Sequence, residues 1–508
     1  MELRLDHAGL LFDSPCCVCR SQFVVEGDVT FPGSLRETTN VLYAAATAVA
    51  ERTEAFEGRV SVSGKAVFCV LYTQGDKSEV ESIEASADFT HLCELADVQA
   101  QADVEVFLQT EHAEARVHNG RMNMRAVVKL CAKAVNRLEM TAVNAVAVPD
   151  ARMKTVQVKA RRRVGWGSGE VLMREEFALP ADLALRDALG AFASVEFQDA
   201  AGGQGRVGLA GELNLDVIHA SDIPGKPLAV THHTVPVSQS VELRGENGDW
   251  LGGRIVVKDV AVASQDAGDG ERTLRAEILL GLSAWSEKAE EHTLLEDAYT
   301  TSGDDLKLSR KTASIRTGAM QVSAAESGRA SLLLPEGAKP IRTMLAAFVN
   351  PVLSSIIPQG GRTVAEGVLE TTLLYMTDGQ PGPASVQLEA PFRAVLAMQV
   401  QPEDVLTLSA VGAEAVPVTT DRAELRYVLK ACAEGNEKRD ISLVADAAAV
   451  PAAQTTQDIV LYYPQPGEDA WDIAKRYRVP EDELQLLNPG LEEIKPGKGV
   501  VVWRRKTV

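Results

Sequence analysis

One patterned stretch occurs three times in this chain, and it constrains the fold more than any other feature. An Arg follows the first Gly, a second Gly lies six residues after the first, and an aromatic ring closes the stretch eight residues later. The copies are Gly58–Tyr72 (GRVSVSGKAVFCVLY), Gly205–His219 (GRVGLAGELNLDVIH) and Gly361–Tyr375 (GRTVAEGVLETTLLY). Apolar and polar side chains alternate along each copy, which predicts an antiparallel strand with one buried and one solvated face. The inner glycine predicts a β-bulge or a close approach of neighbouring backbone.

A second, shorter pattern follows each copy at a nearly constant distance. Its occurrences begin at Gly120, Gly270 and Asp421, alternate polar and apolar side chains, and carry Arg in the sixth place. The first glycine of the longer stretch and this arginine are 67, 70 and 65 residues apart. Because chance rarely repeats two motifs together with their spacing, the patterns indicate three copies of one β-rich domain.

The predicted fold class is mainly β, with three tandem antiparallel β-rich domains and a small α+β domain of βααβ order at the C-terminus. The length of 508 residues agrees with this number of domains. An extended tandem array is expected, with a short helical segment near residues 41–43. The predicted ranges are a leader at 1–22, β-rich domains at 23–140, 169–285 and 314–435, linkers at 141–168 and 286–313, an Ala- and Pro-rich tether at 436–457, and the C-terminal domain at 458–508.

The charge and the cysteines of the chain limit its partners and its compartment. A formal net charge of −20 at pH 7 argues against general binding of nucleic acid, which needs a basic surface. No apolar stretch has the length of a membrane span, and the acidic N-terminal segment does not resemble a secretory signal, so a soluble cytoplasmic protein is expected. The seven cysteines are then expected to be reduced. The cluster Cys16-Cys17-Val18-Cys19 could hold a metal, but free thiols are favoured because no nearby residues complete four ligands.

The sequence gives no sign of enzymatic chemistry. It contains no GxxxxGK[ST] phosphate-binding loop, no HExxH motif and no GxSxG motif. The glycine cluster at 202–205 precedes a predicted strand instead of a helix, which favours a hairpin loop over a phosphate cradle. Carboxylates are abundant, but no pair stands apart from the solvated background. We therefore expect no enzymatic activity, no catalytic residues, no metal and no cofactor.

The C-terminal segment is predicted to fold as strand, helix, helix, strand. A short strand at 459–463 is followed by a turn, and Asp469 is placed to cap a helix that carries Trp471 and Tyr477 at helical spacing. Pro480 suits the start of a second helix, which ends before Pro489. A last strand follows at 500–503.

This segment resembles a LysM domain, on the residues Tyr462, Pro466-Gly467-Glu468, Trp471-Asp472-Ile473-Ala474-Lys475-Arg476-Tyr477, Glu483-Leu484, Leu487-Asn488-Pro489 and Ile494-Lys495-Pro496-Gly497. The resemblance implies a shallow groove for N-acetylglucosamine polymers between two loops. The ligand- or partner-binding residues it implies are Gly467, Glu468, Asp469, Ala470, Trp471, Asn488, Pro489, Gly490 and Leu491. Asp469-Ala470 replaces the family's usual hydroxyl residue and Leu, and Pro464 replaces an apolar strand residue, which weakens the argument for sugar binding. Trp471 and the leucines also suit the core of so small a domain.

The upstream copies resemble the sporulation-associated SPOCS domain. In copy one the residues are VVEGDV at 24–29, EGRVSVSGKAVFCVLY at 57–72, DFTH at 88–91 and NGRMNMRAVV at 119–128; copies two and three match mainly at their Gly-Arg and Arg positions. Three SPOCS domains and one LysM domain are similar to clostridial spore coat morphogenetic proteins. The resemblance implies a non-enzymatic scaffold in the mother-cell cytoplasm, at the forespore outer membrane, whose LysM domain docks on the coat ATPase SpoIVA. It leaves open binding to other coat proteins, to a second copy of the chain, or to peptidoglycan or its lipid-linked precursor.

Overall fold

The computed structural model describes residues 3–30, 39–75, 78–203, 205–268, 271–401, 404–452, 459–489 and 498–503. Within these ranges the chain is mainly β, and its sheets are antiparallel, as the alternating patterns predict. One order of sheets occurs three times along the chain, and we call each occurrence a repeat unit. A short strand–helix–helix–strand segment follows the third unit.

The first repeat unit contains two three-stranded sheets. Its strands are β1 (Arg4–Thr30), β2 (Thr39–Phe56), β3 (Arg59–Gln74), β4 (Val80–Glu94), β5 (Asp103–His118) and β6 (Arg121–Ala147). Strands β2, β3 and β4 form a meander sheet, whereas β1 pairs with β6 and β6 with β5 in a long-strand sheet. The apolar faces of the two sheets meet in a core that includes Phe68, Val70, Met122 and Leu130.

The second and third units repeat this arrangement. The second consists of β7 (Ala151–Ala178), β8 (Leu185–Gly203), β9 (Arg206–Ile223), β10 (Lys226–Glu242), β11 (Arg244–Gly245), β12 (Trp250–Gly268) and β13 (Glu271–Thr300). The third consists of β14 (Asp305–Leu333), β15 (Thr343–Gln359), β16 (Arg362–Met376), β17 (Ala384–Leu396), β18 (Val405–Thr419) and β19 (Arg422–Val450). The meander sheets are β8–β9–β10 and β15–β16–β17, and the long-strand sheets are β7–β13–β12, with β11 beside β7, and β14–β19–β18.

The repeated stretch forms the central strand of every meander sheet, and its inner glycine has the predicted role. Each of these glycines lies opposite a register shift in the preceding strand, next to Ala50, Phe197 and Leu353 respectively. A Cβ atom on Gly64 would lie 2.0 Å from the carbonyl oxygen of Val49, and the same atom on Gly367 would lie 2.1 Å from that of Val352. The prediction of a bulge with a close backbone approach is therefore confirmed.

The stretches predicted to be linkers are parts of strands. Strand β6 continues to residue 147 and β7 begins at 151, so 141–168 contains a connection of three residues. Range 286–313 is likewise divided between β13 and β14, and β19 extends to residue 450 of the predicted tether. Residues 4–22 of the predicted leader belong to β1. The segment at 41–43, expected to be helical, lies in β2. These stretches look polar because only one of their faces is buried.

The buried faces of the long strands meet around a common centre, so the units form one body instead of an extended array. Two apolar clusters there each draw on all three units. Their fully or nearly fully buried members include Phe12 and Val143 from the first unit, Leu294 and Leu295 from the second, and Ile315, Leu443 and Val444 from the third.

Largely buried ion pairs join the same units. Glu105 of the first unit accepts a hydrogen bond from Arg163 of the second at 2.6 Å and lies 3.2 Å from Lys133 and 3.5 Å from Arg254. Arg254 in turn pairs at 2.7 Å with Glu434 of the third unit. Burial opposes the ionisation of Glu105, but the three surrounding cations outweigh it and hold its pKa well below the ordinary value. Because removing one member would leave buried charge unpaired, this network fixes the units relative to one another.

Candidate partner-binding module

Residues 459–503 fold around two short helices, and we call this segment the C-terminal module. It consists of β20 (Ile459–Tyr462), α1 (Ala470–Tyr477), α2 (Glu481–Leu487) and β21 (Val500–Trp503), with β20 and β21 antiparallel. Helix α1 begins with a reciprocal cap: Asp472 N donates to the Asp469 carboxylate at 2.8 Å, and Asp469 N donates to the Asp472 carboxylate at 3.0 Å. The helix ends at Arg478, whose φ of 53° is left-handed.

The core of the module is completed by a side chain from the second repeat unit. Trp471, Ile473 and Leu484 are buried in it together with one face of the two strands. Tyr299 of β13 enters the same cluster, with its ring centroid 5.0 Å from that of Trp471 in an edge-to-face arrangement. The Tyr299 hydroxyl donates to the carbonyl oxygen of Val479 at 2.8 Å. A segment this small buries little surface by itself, so the contribution from β13 is a substantial part of its core.

A carboxylate on the same strand binds two residues of α1. Asp297 accepts a hydrogen bond from Trp471 Nε1 at 2.9 Å and two from Lys475 Nζ at 2.6 and 2.7 Å. Burial opposes the ionisation of Asp297, but these hydrogen bonds outweigh it and lower its pKa. Asp297 is therefore an anionic anchor for the first helix.

Two further contacts hold the module against β7 and the end of β13. Arg478 donates to the carbonyl oxygens of Thr300 at 2.8 Å and Gly303 at 2.9 Å. Lys154 of β7 donates to the carboxylate of Asp469 at 3.1 Å, which lies at the start of α1. With the Asp297 and Tyr299 contacts, these bonds dock the module on the end of the second repeat unit.

The first predicted binding loop is engaged by the protein itself. Asp469 and Trp471 bind the second unit as described, and Ala470 lies partly buried between them. Glu468 accepts hydrogen bonds from the Tyr462 hydroxyl at 2.6 Å and from the guanidinium of Arg476. Gly467, at a φ of +92°, forms the turn and is exposed.

The second predicted binding loop is described only in part. The side chain of Asn488 donates to the carbonyl oxygens of Leu484 at 2.8 Å and Val501 at 2.7 Å, so it ties α2 to β21. Pro489 is exposed, whereas Gly490 and Leu491 lie outside the described residues. Among the described residues, the structure thus assigns local structural contacts to Glu468 and Asn488 and docking contacts to Asp469 and Trp471.

An apolar surface that the sequence analysis missed covers the outer face of β20 and β21. Ile459 pairs with Trp503 and Leu461 with Val501, and paired positions place their side chains on the same face of a sheet. The exposed fractions are 75% for Ile459, 56% for Leu461, 37% for Val501 and 40% for Trp503, and Tyr463 beside them is 56% exposed. We call these five residues the outer sheet face. Their only sequence signal is that both faces of the short strands are apolar.

The described residues show no arrangement suited to metal binding or to membrane crossing by a helix. No group of three His, Cys, Asp or Glu side chains among them could hold a metal ion. Cys19 is a free thiol, whereas the side chains of Cys16 and Cys17 lie outside the description. The two α-helices within the described ranges are both too short to span a membrane.

A known family model matches part of the chain. The model of the SipL family, described as the SPOCS domain, matches residues 38–118. This range covers β2 to β5, and so includes the meander sheet of the first repeat unit. No curated protein and no solved structure matches the chain. The match agrees with the SPOCS resemblance of the first copy and connects this part of the chain with sporulation proteins.

Proposed function

We propose that this protein is a non-enzymatic scaffold of spore coat and envelope assembly in the mother-cell cytoplasm, at the forespore surface. Its three repeat units act as SPOCS-type domains, and its C-terminal module acts as a LysM-type domain that docks on a coat protein, the SpoIVA-like ATPase. The SPOCS match at 38–118 supports a sporulation role. The outer sheet face is the observation that favours a protein over a glycan as the partner.

The outer sheet face has the composition of a protein-binding surface. It places Trp503 and three aliphatic side chains on one face of the two-stranded sheet, with Tyr463 directly after β20, and contiguous exposed apolar surface is typical of protein interaction sites. Trp503 and Tyr463 belong to residue types that often dominate binding energy. Burying this face against a protein would release its apolar surface from water.

A protein partner also agrees better with the loops than a glycan does. A sugar polymer would need hydrogen-bonding groups of the LysM-type loops, but Glu468 and Asn488 already bind within the module. Asp469 and Trp471 bind Lys154 and Asp297. A glycan would have to displace these contacts, and that displacement would reduce its net affinity.

The joined repeat units supply the second element of the proposal. Buried ion pairs and shared apolar clusters hold them together, so the module is presented from a rigid base. A scaffold needs this property because a flexible base would make every further contact entropically more costly.

The test compares the two classes of ligand directly. Purified full-length protein is titrated against a purified SpoIVA-like ATPase by biolayer interferometry, and in parallel is incubated with insoluble peptidoglycan and sedimented. We expect saturable binding to the ATPase and none above background to peptidoglycan. Sedimentation with peptidoglycan, together with no binding to the ATPase, would contradict the proposal.

A further inference from the structure

A cavity of about 830 Å³ lies where the meander sheets of the three repeat units meet. Strand β2 of the first unit, β8 to β10 of the second and β15 to β17 of the third contribute to its wall, together with β5 and β18. Its volume is within the range of small-molecule sites. Because all three units build it, the cavity exists only in the assembled body, and none of the functions described above uses it.

Three aromatic rings, one from each unit, pack against one another in the wall of this cavity, and we call them the aromatic platform. Tyr43 stacks on Phe348 with ring centroids 4.0 Å apart, and its centroid lies 6.0 Å from that of Phe192. Phe192 and Phe348 are 6.3 Å apart. The faces of aromatic rings carry partial negative charge, so ring faces that are open to the cavity attract cations.

The charged groups of the wall favour the same ligand class. None of the described residues that line the cavity is Lys or Arg, whereas four are carboxylates: Glu114, Asp216, Glu370 and Glu414. Arg116 and Arg125 pair with Glu114 from outside the lining.

The remaining carboxylates are only partly offset. Glu370 lies 3.3 Å from His112, and Asp216 lies 2.7 Å from His232. Even with both imidazoles protonated, Glu414 leaves the lining net negative. An anionic ligand is therefore disfavoured.

Polar groups in the wall also lack partners. The buried hydroxyl of Thr110, which lines the cavity, has no hydrogen-bond partner among the described residues. The buried amide nitrogen of Asn214 is also unpaired, and it faces a smaller cavity of about 270 Å³ that shares Thr110 and Phe192 with the first. Unsatisfied buried groups are costly, and a bound ligand or water relieves them.

We propose that this cavity binds a small organic cation, an aliphatic amine or polyamine. Its ammonium groups would lie against the Tyr43–Phe192–Phe348 platform and pair with Asp216, Glu370 and Glu414. The methylene groups of such a ligand suit the alanine-rich part of the wall, which includes Ala44, Ala46 and Ala347. Hydroxyl groups such as that of Thr110 would accept its N–H donors.

The test is isothermal titration calorimetry of the full chain with spermidine at pH 8, above the ordinary pKa of imidazole, although the hydrogen bond with Asp216 raises the pKa of His232. Asp216→Asn and Glu414→Gln each remove one negative charge, and Glu176→Gln, on an exposed position of β7, is the matched control. We expect one saturable site whose affinity falls about tenfold in Asp216→Asn and about threefold in Glu414→Gln, and does not change in the control.

Two further titrations define the ligand class. Magnesium chloride and triethylene glycol replace spermidine, and we expect neither to show saturable binding that the variants weaken. If magnesium binds and the same variants lose that binding, the site recognises a metal ion instead of an amine, and the proposal is overturned. Absence of saturable spermidine binding, or equal affinity in all variants, would also overturn it. If Asp216→Asn does not fold, Glu414→Gln decides the result, since this exposed side chain has no ion pair among the described residues.

Discussion

The indole nitrogen of Trp471 lies 2.9 Å from a carboxylate oxygen of Asp297, 174 residues earlier in the chain. This bond joins the first helix of the C-terminal module to the last strand of the second repeat unit. Trp471, which the LysM resemblance implies to be a ligand-binding residue, is therefore part of an internal interface. The outer sheet face lies on the strands of the module and carries none of these docking contacts.

Removing the anchor should loosen the docked module. Asp297→Ala leaves the N–H of Trp471 and the ammonium of Lys475 without their partner, which should weaken docking by about 1.5–3 kcal/mol. Amide hydrogen exchange across α1 measures this as a loss of protection. Glu291→Ala is the control, because this residue of the same strand is 63% exposed and its one ion pair among the described residues is with Lys159. Equal protection in the two variants would show that Asp297 does not hold the module.

Alanine at the inner glycines should destabilise the repeat units. A Cβ atom at Gly64 or Gly367 would meet a backbone carbonyl at 2.0 or 2.1 Å, so the bulged strand would have to move. We expect each variant to lose about 2–3 kcal/mol of unfolding free energy in urea. Gly9→Ala is the control, because no heavy atom lies within 4 Å of its added Cβ. A loss no larger than that of Gly9→Ala would refute the proposed role of these glycines.

The bulges were predictable because backbone constraints leave a local mark on the sequence. Gly58, Gly205 and Gly361 occupy positive-φ turns before the central strands, and the inner glycines six residues later lie opposite the bulges. The order of strand, two helices and strand at the C-terminus was predictable for a similar reason, since Asp469 and Asp472 form a local cap.

The contacts between units were not predictable from the sequence. Residues 286–313 look like a polar connector, because the buried partners of Leu294 and Leu295 come from other units. The docking of the C-terminal module depends on Asp297 and Tyr299, and neither residue belongs to a local motif. The alternating pattern of a single strand specifies which of its faces is buried. It does not specify which distant segment of the chain covers that face.

The stability of the body should depend on pH through Glu105. Its pKa is depressed in the folded state, so its contribution is complete above the unfolded value of about 4.3 and is lost as the pH falls through the folded value. The contribution of Asp13 to stability changes with pH in the opposite direction, because burial raises the pKa of this carboxyl group. At pH 7, Glu105→Gln should lose about 3–5 kcal/mol of unfolding free energy, since Arg163 and Lys133 lose their counter-charge.

Urea unfolding at several pH values tests this dependence. The difference in unfolding free energy between the parent protein and Glu105→Gln should become smaller as the pH falls from about 5 to 3. Glu26→Gln, at a side chain that is 75% exposed, should follow the parent within about 0.5 kcal/mol. A difference that stays constant across this range would mean that the charge of Glu105 does not contribute.

The most direct test of the proposed function is the affinity of Leu461→Asp for a purified SpoIVA-like ATPase. Leu333→Asp is its matched control, because both leucines are 56% exposed but Leu333 lies on β14, outside the C-terminal module. Circular dichroism establishes that both variants are folded. We predict that Leu461→Asp weakens binding at least about tenfold, as expected when a charge enters an apolar interface, and that Leu333→Asp binds like the parent. Unchanged affinity in Leu461→Asp, or an equal loss in both variants, would contradict a partner site on the outer sheet face.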